Sequence, residues 1–317
     1  MMPSSQRQSL DVAISWVDRA ITGCSAERVP LVSAYSRILA EVVHAAQPIP
    51  PIDQAALDGF AVAASDTIGA NPYNPLLLPL QTVPAGGAIP PGTDAVIPLD
   101  LGQPQPAGVV ECVVALAPGE NVEAQGAVAA LGTTVVSPGT LLSAAHIGLL
   151  NSVGLASAMV VRRPLVRVIV TPASAAADSN GPMCSALVRR DGGVVVDVLA
   201  ERSRPGIRSA LETEGADIAL VVGGSGPGTN DHAAAALAEA GNLAIHGIAL
   251  MPGETTGLGC TRSGMPVVLL PGSPAACLFA YEMLAGRAVR CLGNRDRTLP
   301  YRTRMMRTAR KIVSAIG

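Results

Sequence analysis

Hydrophobic positions along this chain keep three rhythms, and each rhythm marks a region. From Asp11 to Ile21, Val12, Ile14, Trp16, Val17 and Ala20 recur at helical spacing on roughly one side, and Gly23 stands where that helix can end. A second helix is expected from Ser33 to Ala45, after which Pro48, Pro50 and Pro51 force an extended path. Between Asp66 and Pro138 the apolar runs shorten to Leu76–Leu80, Ala95–Leu99, Val109–Leu116 and Thr133–Val136, separated by Pro/Gly turns. This texture predicts a small β domain inserted between helical segments. Ser143 caps a helix through Ser152 that Gly154 ends, and Arg162-Arg163-Pro164 reads as a hinge.

From residue 165 to 290 the pattern alternates. Strands are expected at Val166–Val170, Val194–Val198, Ile218–Val222, Leu243–Ala249 and Pro266–Leu270, and helices at Met183–Arg190, Arg204–Thr213, Ala233–Ala240 and Pro274–Ala285. Such alternation predicts an α/β fold, a parallel sheet with helices on both faces. The chain then divides into an N-terminal helical segment (1–47), an inserted β domain (48–140), a linker helix and hinge (141–164), an α/β domain (165–292) and a basic tail (293–317).

In open α/β sheets ligands lie beyond the carboxyl ends of the strands. The turns expected there are Thr171–Asn180, Gly223–Asp231 and Pro271–Pro274. The second, GGSGPGTND, joins a buried strand to a helix for which Asn230 is the expected N-cap and Asp231 a first-turn acid. Its Gly223, Gly224, Gly226 and Gly228 allow close approach to backbone N–H groups, the arrangement that cradles anions. Ser273 and Pro274 suit the N-cap and first position of the last helix, a second anion-friendly terminus.

Composition narrows the chemistry. Hydrophobic residues make up 49% and charged residues 15%, which indicates buried cores. A net charge of −2 and only seven aromatics give no basis for nucleic-acid binding. No apolar stretch reaches membrane-span length and no signal peptide is visible, so a cytoplasmic protein is expected. Six dispersed cysteines without a CxxC pair suggest reduced, buried thiols, and the four scattered histidines suggest structural roles. The single lysine, Lys311, excludes a Walker-type phosphate loop from the main body. From Gly286 onward eight arginines and Lys311 face one acid, Asp296, a pattern expected of a solvated face.

Seven collinear motifs resemble the MoeA/gephyrin family of molybdopterin molybdenumtransferases: PPIDQAALDGFAV (Pro50–Val62), VPAGGAIPPGTDAVIP (Val83–Pro98), PGENV (Pro118–Val122), DSN (Asp178–Asn180), GGSGPGTND (Gly223–Asp231), HGIALMPG (His246–Gly253) and LPGSP (Leu270–Pro274). The resemblance implies an α/β domain of the kind shared with MogA and MoaB, elongated homodimers with the site between protomers, and insertion of molybdate into adenylylated molybdopterin. It also implies contact with other molybdenum cofactor maturation proteins. By position it makes Asp58 and Asp231 catalytic carboxylates, a pair suited to Mg²⁺ as a hard ion. Pterin contacts are then expected from Gly223, Gly224, Ser225, Gly226, Gly228, Asn180, Pro252, Gly253, Gly272 and Ser273. The closing KIVSAIG looks like the start of the family's C-terminal β domain.

The side-chain chemistry departs from the family. Its GED stands here as Gly126-Ala127-Val128, its TGDE as Thr171-Pro172-Ala173-Ser174, and its KPGKP as Met251-Pro252-Gly253-Glu254-Thr255. Both lysines of the last motif are gone and one position has reversed its charge. A lysine–oxyanion contact contributes about 1.5–3 kcal/mol, so two losses weaken molybdate binding by about two to four orders of magnitude if nothing replaces them. Arg262 and the tail arginines are the candidates for compensation. Three readings stay open: an insertase with a rewired site, a pterin-binding carrier or scaffold without insertion activity, and an α/β protein whose glycine loops only turn and whose ligand is something else.

Overall fold

The computed structural model describes residues 7–171, 179–307 and 309–310. The chain forms two compact units: Met1–Ala40, Gly139–Ser143 and Ala158–Gly317 make one, Glu41–Pro138 and Ala144–Ser157 the other.

The first unit is built on a six-stranded sheet. Its strands are β1 (Leu165–Val170), β2 (Val194–Ala200), β3 (Ile218–Val222), β4 (Gly241–His246), β5 (Gly257–Thr261) and β6 (Pro266–Leu270), in the order β2-β1-β3-β6-β5-β4. The pairs β1–β2, β1–β3 and β3–β6 are parallel, whereas β5 runs antiparallel to both β6 and β4. The expectation of a wholly parallel sheet is therefore corrected at one edge. Strand β5, GLGCT, escaped notice because Gly257 and Gly259 dilute its apolar pattern. Close packing requires them: a Cβ at Gly259 would strike the Asn242 carbonyl of β4.

Alternation along the strands fills two cores. Val166, Val168, Val170, Ile218, Leu220, Val222, Val268 and Leu270 face α1 (Leu10–Ala20), α2 (Asn180–Arg190), and the long final helix. Ile169, Ala219, Val221, Val267 and Leu269 face α3 (Arg204–Glu212) and α4 (Ala233–Ala240) through Ile207, Leu211, Ala236 and Leu237. Arg167, 3% exposed, lies on that second side, hydrogen-bonded to Asp197 and to the carbonyls of Ala210, Thr213 and Glu214. A fixed guanidinium at the end of α3 satisfies carbonyls that have no partner in the helix.

Two helix expectations change. Ser33–Ala45 forms only a short helix, Leu31–Ala34, before Ser36 turns at φ 58°. Beyond it Ile38 and Leu39 bridge to Leu141 and Val160, and Val43–His44 pairs with Thr134–Val136. The β-branched Val42-Val43 is better placed in a ladder than in a helix. The final helix outruns its expected end: α5 (Pro274–Ala280) passes through a π-helical turn, Tyr281–Ala285, into α6 (Gly286–Leu292).

That extension also overturns the solvated basic tail for its first half. Arg287 binds both oxygens of Asp18 at 2.8 and 2.7 Å, Arg290 reaches the buried Asp191 at 2.9 Å, and Arg295 hydrogen-bonds Ser36. The KIVSAIG segment lies outside the described residues. Arg162 is likewise fixed, paired with Asp217, which also accepts the Leu165 N–H.

In the second unit Gly59–Val62 lies between Thr82–Val83 and Ala95–Pro98, and Val109–Cys112 lies between Leu76–Pro79 and Gly102–Gln105, all antiparallel. Phe60, Leu78, Ile97, Val110 and Cys112 form its own core. None of the six cysteines forms a disulfide. No helix among the described residues is long and apolar enough to cross a membrane.

Candidate functional site

At the carboxyl ends of β1, β3 and β6 the chain opens a cleft of about 880 Å³. Strand β3 continues one residue past its end, because the Gly223 N–H donates to Leu270 O at 2.8 Å. The backbone then turns through φ 89° at Gly223 and 63° at Gly224. Only glycine adopts that pair of values cheaply, and a Cβ at Gly223 would also lie 2.5 Å from Thr171 Oγ1. The Pro271–Pro274 turn sits against it: a Cβ at Gly272 would lie 3.4 Å from Gly223 Cα. Asn180, at the start of α2, donates from Nδ2 to Gly272 O at 2.8 Å, tying a second helix start to the same rim.

The glycine turn is braced from outside. His246 at the end of β4 lies 2.8 Å through Nε2 from the Ser225 carbonyl, and the Ser225 hydroxyl lies 3.1 Å from Thr255 Oγ1. Ser225 is 2% exposed, so its hydroxyl stabilises the turn. Ser273 is the N-cap of α5, with Pro274 next, and its hydroxyl makes no capping bond. It therefore keeps its donor and acceptor available on the cleft wall.

The helix after the turn has its expected span but not its expected cap. Helix α4 begins at Ala233 with His232 as N-cap, not with Asn230 as N-cap and Asp231 in its first turn. Asp231 instead closes a tight turn, accepting from the Gly228 N–H at 2.9 Å through Oδ2. The compact turn satisfies the carboxylate locally, so the helix loses its acid. Gly226 and Gly228 leave room for it, since a Cβ on either would crowd that oxygen.

Of the residues expected at the site, Gly223, Gly224, Ser225, Gly226, Asp231, Asn180, Gly272 and Ser273 line this one cleft. Pro252, Gly253 and Gly228 do not, although Glu254 and Thr255, the next two residues of the Pro252-Gly253 segment, do. Asp58 belongs to the other unit, exposed just before the Gly59–Val62 strand, where its Oδ1 accepts the Ala85 N–H at 2.8 Å. Residues 172–178, which hold most of the Thr171–Asn180 turn, lie outside the described residues.

Thr171, at the start of an expected rim turn, also lines the cleft, as do Glu254 and Thr255 of the altered lysine motif; Arg202, Ser203 and His232 line it too and were missed. Arg202 follows β2 at its carboxyl end, so the rule that singled out the other turns applied to it as well. Glu254 is held below the usual carboxylate range by its own backbone N–H and that of Gly253, the latter at 3.1 Å, and it carries its charge at neutral pH. Arg262 is not a candidate here: it follows β5 at the opposite end of the sheet and pairs with Glu212.

Among the described residues no group of three or more His, Cys, Asp or Glu side chains gathers as a metal cluster. Asp58 and Asp231 each commit one oxygen to a backbone N–H within its own unit.

The MoeA N-terminal region (domain I and II) matches residues 8–154, and a probable molybdopterin binding domain matches residues 167–290. Molybdopterin molybdenumtransferase 2 of Mycobacterium tuberculosis is 30% identical, over 92% of this chain and 81% of its own length. The chain belongs to the MoeA family. Other members diverge further: molybdopterin molybdenumtransferase of Bacillus subtilis is 27% identical over 81% of this chain and 68% of its own. The MoeA protein of Pyrococcus horikosii superposes with a TM-score of 0.73 at 26% identity, covering 92% of this chain and 81% of that one. The match of the probable molybdopterin binding domain to residues 167–290 contains every residue that lines the cleft.

Proposed function

We propose that this MoeA-family chain binds molybdopterin in the glycine cleft and serves molybdate insertion into adenylylated molybdopterin during molybdenum cofactor biosynthesis. The observation that carries the reading is the convergence of three element ends on one cleft inside the matched molybdopterin-binding region. Gly223 and Gly224 expose backbone there, and the starts of α2 and α5 border it, so N–H groups and helix dipoles favour a phosphate-bearing ligand. The curated relatives are named for molybdenum transfer, which places this chain with enzymes.

A second reading, a pterin carrier or scaffold without insertion, is favoured by the charges of the wall. Glu254 and Asp231 are acids, and the family lysines stand as Met251 and Glu254. Mg²⁺, the homodimer and maturation partners rest on family membership, and Mg²⁺ enters no step here.

Titration calorimetry with molybdopterin, with and without molybdate and Mg²⁺, separates the readings. Insertion requires pterin binding that molybdate strengthens. Binding indifferent to molybdate and Mg²⁺ supports the carrier, and absence of pterin binding overturns both. A dimer by light scattering at micromolar concentration is expected, and a monomer would count against the family's shared site.

A further inference from the structure

The cleft has lost its lysines, yet its ligand is an anion. We propose that Arg202 is the side chain that holds an oxyanion of the ligand in this cleft, a recognition role that rests on reading the cleft as the molybdopterin site. Three observations lead to it. Arg202 is the only arginine or lysine among the described residues of the lining. Its backbone is fixed on both sides: the Glu201 N–H donates to Val170 O at 2.9 Å, and Ser203 caps α3 by accepting the Gly206 N–H at 3.1 Å. Its guanidinium is exposed, and no carboxylate among the described residues lies within ion-pair distance of it.

The neighbouring arginines show how unusual that is. Arg204 is paired with Glu239, Arg208 with Glu212, Arg167 with Asp197 and Arg262 with Glu212. Arg287, Arg290 and Arg295 are committed to Asp18, Asp191 and Ser36, and none lines the cleft. Arg202 alone in this set combines a pinned backbone, a neutralising partner withheld, and a place on the cleft wall.

Its position differs in kind from the missing lysines. Those belong to the Met251–Thr255 segment, whereas Arg202 stands on the far side of the glycine turn, after the edge strand β2. A planar guanidinium grips a tetrahedral oxyanion through two parallel N–H donors, which an ammonium cannot do. Anion recognition has moved across the cleft and changed its geometry. With Glu254 ionised on the opposite wall, the cleft is polarised, and the anionic end of the ligand is drawn toward β2.

The test titrates the full chain with inorganic pyrophosphate and, separately, with molybdopterin, in wild type, Arg202→Ala, Arg202→Lys and the control Arg204→Ala, each checked for an unchanged thermal transition. Arg202→Ala is expected to weaken both probes about 10- to 100-fold, the scale of one charge-assisted contact. Arg202→Lys recovers part of the loss, and Arg204→Ala binds as wild type. Equal affinity in Arg202→Ala and wild type overturns the proposal while leaving the pterin reading intact. Pyrophosphate binding that depends on Arg202, without molybdopterin binding, supports the proposal and overturns the pterin reading. Wild type that binds neither probe overturns both.

Discussion

Gly224 holds φ 63°, and a Cβ there would lie 3.1 Å from Thr171 Oγ1, so any side chain at this position is strained and presses on the β1 rim. Gly224→Val should abolish pterin binding while the chain stays folded, as read by calorimetry and circular dichroism; normal affinity would remove the turn from the site. Glu254 gives a prediction of opposite sign. Its carboxylate faces an anion, and Glu254→Lys restores a cation to the Met251–Thr255 segment, so phosphate affinity should rise about tenfold, the scale of one added charge-assisted contact. Asp58→Asn should lower any metal-dependent activity without unfolding the protein, since the amide oxygen can still accept the Ala85 N–H. Unchanged turnover would take Asp58 out of the chemistry.

At the scale of elements, the informative feature is the joint between α5 and α6. Tyr281 is fully buried in the π-helical turn and donates to Asp191 Oδ2 at 3.1 Å, and Asp191 also meets Arg190 and Arg290, both at 2.9 Å. Burial pushes the Tyr281 phenol well above its ordinary value, and the Asp191 charge adds to the effect, so the phenol remains a donor. Arg290→Met leaves Asp191 short of a partner and should cost about 3–5 kcal/mol in denaturant unfolding. Tyr281→Phe removes one bond and should cost about 1–2 kcal/mol.

None of this was legible beforehand. Periodicity located Ile218–Val222 and Pro266–Leu270 as built, and Ala233–Ala240 to the residue, because a parallel core and an alanine helix leave plain patterns. It missed the Asp191 network because burial of Arg290 comes from tertiary packing, and a sequence shows only a basic residue in a basic stretch. It lost β5 to its glycines. Eight of the residues expected there line one cleft, because glycine turns at strand ends announce themselves, while Arg202 follows a strand end with no such turn.

For the molecule as a whole, two units with separate cores should melt in two calorimetric steps, and a single two-state transition would show them to be coupled. Acid will act first on the α/β unit. Burial pushes the Asp217 carboxyl up, but the Arg162 hydrogen bonds, the Leu165 N–H and the Arg162 charge outweigh it and hold it below 3.8. Asp18 is held low chiefly by its hydrogen bond to Arg287. A depressed folded value means stability that is present above the unfolded pKa and is lost as pH falls through the folded one. Unfolding free energy should therefore drop as pH falls below about 4, the usual carboxylate range, and Asp217→Asn should flatten part of that fall in a denaturant series.

The attachment of α1 has a consequence for how the chain is made. Asp18 is held by Arg287, and the Ile21 carbonyl by the Cys291 thiol, 269 and 270 residues further on. At a synthesis rate of about 5–20 residues per second, roughly 14–54 s separate the appearance of these partners. An 11-residue helix is too short to persist alone in water. Until residues 281–292 emerge, α1 lacks the helix it packs against, and the intervening β unit can condense first. A helix made early is thus among the last to be fastened, and a stall before α6 emerges would leave an unguarded apolar stripe for a chaperone.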